Sequence, residues 1–472
     1  MARHPFHTEF GGRLVILGFG CIGRGVLPLL LRHIAIRPGQ IRIVTDHDAD
    51  RAVADEYRVA LRIQAVTRDN YQAVLGDELG PDDFLLNLSI NVASVDLIAW
   101  CQQHGVLYLD ACIEPWAGGY FDTALTPSQR SNYSLREAAL ALRRTDNEAS
   151  TAVLAHGANP GLVSHFVKRA LLDVAAATGA GSDEPRQRAE WAALARRLGV
   201  KVIQVAERDT QASASRKTAG EFVNTWSVGG FIGEGCQPAE LGWGSHERHF
   251  PVDGHHHAHG CGASIYLDRP GAATRVRSWT PLEGPYHGFL IAHGESISIA
   301  DALTVRAGEQ VVYRPTVHYA YHPCDDALLS LHELAGKGWR APERRRELGA
   351  EAIVSGGDEL GVLLAGHARN AYWLGSRLSI DAARALCPLN NATSLQTAAG
   401  VLGGVIWAMR HRRAGIVDPD EIDFRAVLEV AAPYLGDMVG VYSDWTPLEG
   451  RGVLFPEDVD SGDPWQFKNV RV

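Results

Sequence analysis

The amino-acid sequence predicts a two-domain α/β protein, in which a doubly wound parallel sheet is followed by a mixed α+β domain. Three observations support this fold class. A four-residue apolar run is followed at once by a glycine-rich turn, strand-like and helix-like segments then alternate to about residue 155, and the later pattern is strand-rich with long connections. The 472 residues provide for two or three domains of ordinary size.

The first strand and turn predict a nucleotide-binding unit. The apolar run Leu14–Leu17 is typical of a buried strand, and residues 26–33 continue as a helix. Between them, Gly18-Phe19-Gly20-Cys21-Ile22-Gly23 has the G-x-G-x-x-G spacing of a dinucleotide-binding turn. We expect Gly18, Gly20, Ile22 and Gly23 to contact the cofactor, with its pyrophosphate at the helix N-terminus.

The second strand carries the signal for the type of dinucleotide. Residues 41–45 are followed by Asp46, at the spacing where an acidic residue binds the adenosine ribose hydroxyls. No arginine directly follows Asp46, and its carboxylate would repel a ribose 2′-phosphate. The sequence therefore favours NAD over NADP. The alternative, a tight turn without a ligand, is disfavoured by the strand, helix and acid together.

The alternation of strands and helices continues through the first domain. Strands are predicted at 63–67, 84–89, 106–109 and 151–155, and helices at 71–79, 94–104 and 130–144. In a doubly wound sheet the ligand lies across the carboxyl ends of the strands. That geometry places Ser89, Asn91, Asp110 and Glu114 near the nicotinamide end of the cofactor.

A second domain is predicted from residue 156. Helices are expected at 162–177 and 190–198, and strands at 200–206, 222–227, 262–267, 274–279 and 311–313. Residues 390–409 combine small apolar residues with three glycines in a helical period, so we expect this helix to pack closely on the nucleotide-binding domain. The predicted domains are thus 1–155, completed by 390–472, and 156–389, which supplies most substrate contacts.

Composition limits the partners. A net charge of -10 argues against nucleic acid and is compatible with a cationic substrate. The seven cysteines are scattered and never spaced C-x-x-C, which indicates reduced thiols in the cytoplasm. We find no apolar signal core and no apolar run of about 18 residues, so no membrane span is expected.

Carboxylates beside aromatic residues predict a pocket for an organic cation. Any one of them alone is more often a surface acid or a core tryptophan. Together they provide carboxylates for ammonium groups and indole faces for cation–π contact, and would favour a cationic imine. The set comprises Glu114, Glu207, Trp226, Glu234, Glu240, Trp243, Glu295 and Asp358.

Histidines provide two further candidates. The cluster at 246–259 lacks the paired spacings of an ordered zinc site, so we interpret it as a mobile surface loop and predict no metal. His293 lies two residues before Glu295, beside a candidate pocket acid. A catalytic role and a buried structural role are about equally favoured for His293.

With these residues assembled, the chain resembles the bacterial homospermidine synthases along nearly its whole length. The family itself is similar in fold to saccharopine and carboxynorspermidine dehydrogenases. The resemblance rests on Asn87-Leu88-Ser89, Glu114-Pro115-Trp116, Gly157-Ala158-Asn159-Pro160-Gly161, Ala206-Glu207-Arg208-Asp209-Thr210-Gln211, Val223-Asn224-Thr225-Trp226-Ser227-Val228, and the segments 237–244, 295–301, 319–324, 358–362 and 463–467.

The resemblance implies a redox-neutral reaction with NAD as a retained prosthetic group. Putrescine is oxidised by hydride transfer, the imine exchanges ammonia for a second putrescine, and the returned hydride gives homospermidine. Spermidine is a possible donor of the aminobutyl group, and a homodimer that associates through residues 156–389 is implied. The alternatives are a net NAD(P)-dependent dehydrogenase of the saccharopine or carboxynorspermidine type, which needs a basic site for a carboxylate, and a non-enzymatic NAD sensor.

The resemblance also implies residue roles. Trp226 is the cation–π platform, Glu114 and Asn159 line the reaction centre with Asn159 also near the cofactor, and His293 assists. The carboxylates Glu207, Glu234, Glu295 and Asp358 bind amine ends or move protons. The chain departs from the family at Asn91, where we expect an aspartate. The amide keeps hydrogen bonding but loses a charge, which predicts a weaker hold on one ammonium group.

Overall fold

The computed structural model describes residues 6–144, 149–181 and 184–472. Up to residue 153 the chain alternates strands and helices, as predicted. In order these are β1 (Thr8–Glu9), β2 (Leu14–Leu17), α1 (Cys21–His33), β3 (Ile34–Ala35), β4 (Ile41–Thr45), α2 (Arg51–Glu56), β5 (Ala60–Ile63), α3 (Tyr71–Glu78), β6 (Phe84–Asn87), α4 (Ser94–His104), β7 (Leu107–Asp110), α5 (Asn132–Leu140) and β8 (Ala152–Val153).

These elements build a parallel sheet that positions the candidate cofactor turn. Seven strands pair in the order β24-β8-β7-β6-β2-β4-β5, where β24 is Ile416–Val417. Every pairing in this sheet is parallel, and β2, β6 and β7 are buried throughout. Helices cover both faces, so these strands are continuous apolar runs. The predicted doubly wound sheet is confirmed, although the strand predicted at 63–67 lies at Ala60–Ile63.

The second part of the chain is a mixed α+β domain, as predicted. Its elements are α6 (Leu162–Thr178), α7 (Arg188–Leu198), β9 (Val202–Asp209), β10 (Ala212–Ser213), β11 (Glu221–Asn224), α8 (Val228–Cys236), β12 (Pro238–Gly242), β13 (Gly254–His256), β14 (Ser264–Pro270), β15 (Arg275–Thr280), β16 (Gly284–Phe289), α9 (Glu295–Ala302), β17 (Val305–Ala307), β18 (Gln310–Tyr313), β19 (Thr316–His322), α10 (Asp325–Gly336), β20 (Arg344–Glu347), β21 (Ile353–Ser355), β22 (Gly357–His367), β23 (Asn370–Ser379) and α11 (Ile380–Leu386).

A ten-stranded sheet forms the platform of this domain. Its main path runs β13-β14-β12-β19-β9-β22-β23-β25, where β25 is Asp437–Ser443, with β16 and β15 attached through β19. Strand β9 lies between β19, which is parallel to it, and β22, which is antiparallel. The carboxyl end of β9, which carries Glu207 and Asp209, is therefore held by ordered strands on both sides.

The C-terminal segment divides between the two sheets. It continues with α12 (Ala392–Arg410), β24, α13 (Phe424–Ala431), β25 and α14 (Phe467–Val470). Helix α12 packs on α1, as predicted; a Cβ at Gly400 would lie 2.0 Å from the Gly157 oxygen, so only glycine fits there. Strand β25, however, pairs with β23, and the final helix packs under the second sheet. The expectation that all of 390–472 completes the first domain therefore needs correction.

Helix α12 is also the only helix in the described parts of the chain that is long and apolar enough to cross a membrane, and 94% of its apolar window is buried inside the protein.

The histidine cluster is ordered, which corrects the prediction of a mobile loop. Strand β13 pairs with β14 through His255 and His256. The buried ring of His257 stacks on Tyr133 with centroids 3.9 Å apart and lies 3.4 Å from a Glu240 oxygen. Tyr133 is distant in sequence, so the local pattern of polar and glycine residues could not reveal this stacking contact.

Candidate active site

The glycine-rich turn has the shape that a dinucleotide requires. Gly18 adopts φ +85°, and a Cβ there would lie 2.7 Å from the backbone of Ser89. A Cβ at Gly20 would meet no atom within 4 Å, so space is open above the turn. Gly20 also begins α1 without a side-chain cap, which leaves the amides of the first turn available to a phosphate. Gly23 lies inside α1, one turn further on. The turn therefore fits a pyrophosphate.

Asp46 stands at the carboxyl end of β4, where its side chain is 72% exposed. His47 follows it, and the His47 ring nitrogen lies 3.8 Å from the Asp46 carboxylate. The carboxylate is thus accessible to the hydroxyls of a ribose. The donor and acceptor groups present fit NAD, with Asp46 at its adenosine end.

A cavity of about 140 Å³ lies between the two domains, beside the carboxyl ends of β6 and β7. None of the described residues that line it is lysine or arginine. Among the predicted site residues, the lining contains Ile22, Ser89, Glu114, Asn159, Glu207, Trp226, Glu234 and His293. We refer to this cavity as the chamber. Its polar groups can bind a cation and offer no counter-charge to a carboxylate substrate other than His293.

His293 forms the centre of an ion-paired triad. Its Nε2 lies 3.0 Å from a Glu234 oxygen, and its Nδ1 lies 3.3 Å from a Glu295 oxygen. Burial lowers the pKa of His293, but the two carboxylates outweigh that effect and hold it well above the ordinary value. Glu295 is fully buried behind His293, outside the chamber lining. The two carboxylates therefore favour the protonated, cationic form of the imidazole.

Glu207 projects from β9 into the chamber. Its Oε2 accepts hydrogen bonds from the hydroxyl of Tyr319 and from Asn159 Nδ2, the latter at 3.3 Å. Burial raises the pKa of Glu207 to about 8, although the Tyr319 hydrogen bond opposes the rise. A carboxyl group with this pKa can accept and return a proton near neutral pH.

Glu114 is the second chamber carboxyl with a raised pKa. Burial moves the pKa of Glu114 to about 8. Its Oε2 accepts a hydrogen bond of 3.2 Å from the backbone N–H of Asn91. Asn91 itself is exposed, has φ +63°, and lines a wider surface cleft beside Trp116 instead of the chamber. The structure therefore does not bring the Asn91 side chain to the other predicted substrate residues.

Trp226 lies in the short connection between β11 and α8. Its indole Nε1 donates to the hydroxyl of Tyr321 at 3.3 Å, and its ring packs on Phe231 with centroids 5.0 Å apart. The preceding Thr225 donates to the buried Asp209 carboxylate at 2.7 Å. These three contacts fix the indole, which lines the chamber and can receive a cation on its face.

Asp358 and Asp110 are two further predicted site acids that, like Glu295, lie outside the chamber lining. Asp358 is buried on β22, where it accepts a hydrogen bond of 2.5 Å from Thr393, a lining residue of α12. Burial and the nearby Glu207 carboxyl hold the pKa of Asp358 well above its ordinary value. Asp110 ends β7, and its carboxylate accepts from the Tyr108 hydroxyl and the Ala155 N–H. These bonds order the strand ends beneath the cofactor position, and burial raises the pKa of Asp110 to about 6.

Glu240 and Trp243, two members of the predicted carboxylate–aromatic set, stabilise the fold and do not line the chamber. The buried Glu240 carboxylate accepts from the N–H groups of Asn132 and Tyr133 at the start of α5. Trp243 packs against a hydrophobic cluster under the second sheet. Among the described residues, no group of three or more histidine, cysteine, aspartate or glutamate side chains could hold a metal ion.

Several residues of the chamber were not among the predicted site residues. They are Cys112, Tyr319, Thr393 and Thr397 in the lining, with Asp209 and Tyr321 directly behind it. A strand alternates its side chains, so Glu207 and Asp209 share a face, as do Tyr319 and Tyr321. The strand predicted at 311–313 corresponds to β18, and β19 was not predicted; its alternation of Val317, Tyr319 and Tyr321 with less apolar residues was the signal that could have found both tyrosines.

Comparison with known families identifies both halves of the chain. The saccharopine dehydrogenase NADP binding domain matches residues 14–154, and the saccharopine dehydrogenase C-terminal domain matches residues 157–443. A crystal structure of a homospermidine synthase from Legionella pneumophila, in complex with NAD, superimposes with a TM-score of 0.92 at 49% identity. The superposition covers 98% of each chain.

Full-length relatives give the same assignment. A homospermidine synthase of Blastochloris viridis is 54% identical over 100% of both chains. A homospermidine synthase of Mesorhizobium japonicum is 48% identical over 99% of this chain and 98% of its own. At these identities and this coverage, the chain belongs to the homospermidine synthase family.

Proposed function

We propose that this enzyme converts two molecules of putrescine into homospermidine and ammonia, with NAD held as a prosthetic group. The observation that carries the proposal is the chamber, in which three carboxyl groups and one indole face surround a space at the nicotinamide end of the cofactor turn. A diamine with two ammonium groups matches that composition. A saccharopine-type substrate would bring carboxylates to a lining without lysine or arginine among its described residues.

The cofactor residues follow from the turn and the strand ends. The amides near Gly18, Gly20 and Ile22 would hold the pyrophosphate, Asp46 the adenosine ribose, and Ser89 the nicotinamide side. When bound there, NAD accepts a hydride from the amine-bearing carbon and later returns it. The family description names NADP, whereas the Asp46 carboxylate favours the form without a 2′-phosphate.

Binding and proton transfer are assigned to the chamber side chains. The Glu234 carboxylate and its partner His293 orient an amine, while the face of Trp226 stabilises the iminium by roughly 0.5–2 kcal/mol. Hydride loss requires a neutral amine, and Glu207 and Glu114, each with a pKa of about 8, can take up the released proton. The same groups return protons when ammonia leaves and when the product amine forms. No net proton or electron is then needed from solvent.

The finer assignments belong to the same proposal. Residues 156–389 supply most of the substrate contacts of a cytoplasmic homodimer, and Asp358 stabilises the chamber from behind Thr393. Spermidine can replace putrescine as the aminobutyl donor, because it presents the same terminal group.

One incubation tests the proposal. The purified protein is mixed with putrescine and catalytic NAD, and homospermidine, ammonia and free NADH are measured. We expect equal amounts of homospermidine and ammonia without net NADH. Stoichiometric NADH would indicate a net dehydrogenase instead, and no turnover with tight NAD binding would indicate a sensor.

A further inference from the structure

Two tyrosines of β19 connect the parts of the chamber that the proposed reaction uses. Tyr319 and Tyr321 stand two residues apart, so their rings share one face of the strand. The rings stack with centroids 5.3 Å apart and an angle of 9° between their planes. Both are buried, and β19 is held in register by the parallel strand β9, with Tyr321 opposite Glu207.

Each tyrosine hydroxyl forms a hydrogen bond with a different candidate catalytic residue. The Tyr321 hydroxyl accepts the Trp226 indole N–H at 3.3 Å. The Tyr319 hydroxyl donates to Glu207 Oε2, and the Tyr319 ring packs on His293 with centroids 4.6 Å apart. The two stacked rings therefore connect the indole of Trp226 with Glu207 and His293.

We propose that Tyr319 and Tyr321 are positioning residues that hold the Trp226 face and the Glu207 carboxylate at a fixed separation across the reacting carbon. The inference rests on the proposed function and goes further, because it assigns roles to two residues outside the cofactor-binding and substrate-binding sets. An iminium must lie over the indole while its amine lies within hydrogen-bond reach of the carboxylate. Independent rotation of either group would break that arrangement.

The hydroxyl of Tyr319 has a second effect, which acts on protonation. A hydrogen bond to a carboxylate stabilises its ionised form and lowers its pKa. Other charges also act on this carboxyl group: those of Asp209 on the same strand, Asp358 on β22, Glu295 on α9 and His293 in the loop before it. Removing the hydroxyl leaves those charges in place, so the pKa of Glu207 rises. Activity that needs the ionised carboxylate then begins at a higher pH.

Substitution by phenylalanine separates positioning from packing. Tyr319→Phe and Tyr321→Phe keep both rings and remove one hydroxyl each. Tyr313→Phe is the matched control, because its half-buried hydroxyl donates to the Val200 oxygen at 2.8 Å, away from the chamber. We measure kcat, KM and the pH profile for putrescine, putrescine binding by calorimetry, and thermal unfolding.

For Tyr319→Phe we expect kcat/KM to fall about 10- to 100-fold, with the acid-side inflection moved to higher pH. Tyr321→Phe should lower kcat about 2- to 10-fold with little change in KM. In the double variant the two losses should overlap and not multiply, since the pair acts as one unit. Tyr313→Phe should keep the wild-type profile.

Wild-type kinetics in the two variants would overturn the inference. A loss of activity that accompanies a lower unfolding temperature, without a shift of the acid-side inflection in the pH profile, would also overturn it. That result would indicate a role in packing alone. If the wild-type chain binds putrescine without forming homospermidine, the proposed function fails. The inference is then judged by whether Tyr319→Phe changes the pH dependence of binding. A chain that does not bind putrescine overturns both.

Discussion

Glu207 offers the sharpest perturbation of the proposed chemistry. Glu207→Gln keeps the shape of the side chain and its contact with Tyr319, but removes the group that takes up a proton. General acid–base catalysis by one such group contributes about 10²- to 10⁴-fold to the rate. We expect kcat/KM for putrescine to fall by that factor, while NAD binding at the glycine-rich turn is unchanged.

The raised pKa of Glu207 also predicts the pH dependence. The pKa of Glu207 is about 8, whereas its ordinary value is 4.5. This shift corresponds to a change in folding stability between low and high pH of at most about 5 kcal/mol. Because the native value is the higher one, the native state is most favoured below pH 4.5, and this contribution is lost as the pH rises through 8. The wild type without substrate should therefore lose stability over this range relative to Glu207→Gln.

The assay combines urea unfolding with a pH profile of kcat/KM from pH 6 to pH 9. The wild-type profile should rise through two ionisations near 8, those of Glu207 and Glu114, and the variant should keep one. Glu247→Gln is the control: burial raises the pKa of Glu247 to about 7, and it bonds Thr316 outside the chamber. A Glu207→Gln enzyme with wild-type turnover and an unchanged profile would refute the reasoning.

Three further predictions address the indole, the surface cleft at Asn91 and the helix contact. Trp226→Phe should retain part of the activity, whereas Trp226→Ala should lose about 10-fold or more in kcat/KM; normal turnover in the alanine variant would remove Trp226 from the mechanism. Asn91→Asp should lower the apparent KM for putrescine at low salt and less so at high salt, since its exposed side chain adds a screened charge; no change or a rise counts against an attraction for the diamine at this point. Gly400→Ala should lower the unfolding temperature by several degrees, because its Cβ would overlap a backbone oxygen. Gly76→Ala, in a helix position with open space, should be neutral or slightly stabilising and serves as its control.

The nucleotide-binding half was predictable because its signals are local. An apolar strand, three spaced glycines and an acid after the next strand are adjacent in sequence, and each has one physical reason to be there. The small residues of α12 likewise predicted a close helix contact, which Gly400 makes against Gly157. In these segments the local pattern and the tertiary contacts favour the same structure.

The centre of the second sheet was not predictable in this way. Strand β22 contains Gly357, Asp358 and Glu359 at its start, which lower its strand propensity, and later residues are buried on both faces. Continuous burial removes the alternation that identifies a strand. The hydrogen-bond partners Glu207 and Trp226 lie more than ninety residues from Tyr319 and Tyr321 in sequence, so these contacts become visible only in the folded chain.

Isotope transfer tests most directly the central claim that one retained cofactor lends and returns the hydride. An equal mixture of unlabelled putrescine and putrescine deuterated at both terminal carbons is supplied with catalytic NAD, and the homospermidine is analysed by mass spectrometry. A retained cofactor returns each deuterium to the carbon that lost it, which predicts products with zero, four or eight deuterium atoms. Products with odd numbers of deuterium atoms would show exchange between enzyme molecules and contradict the account.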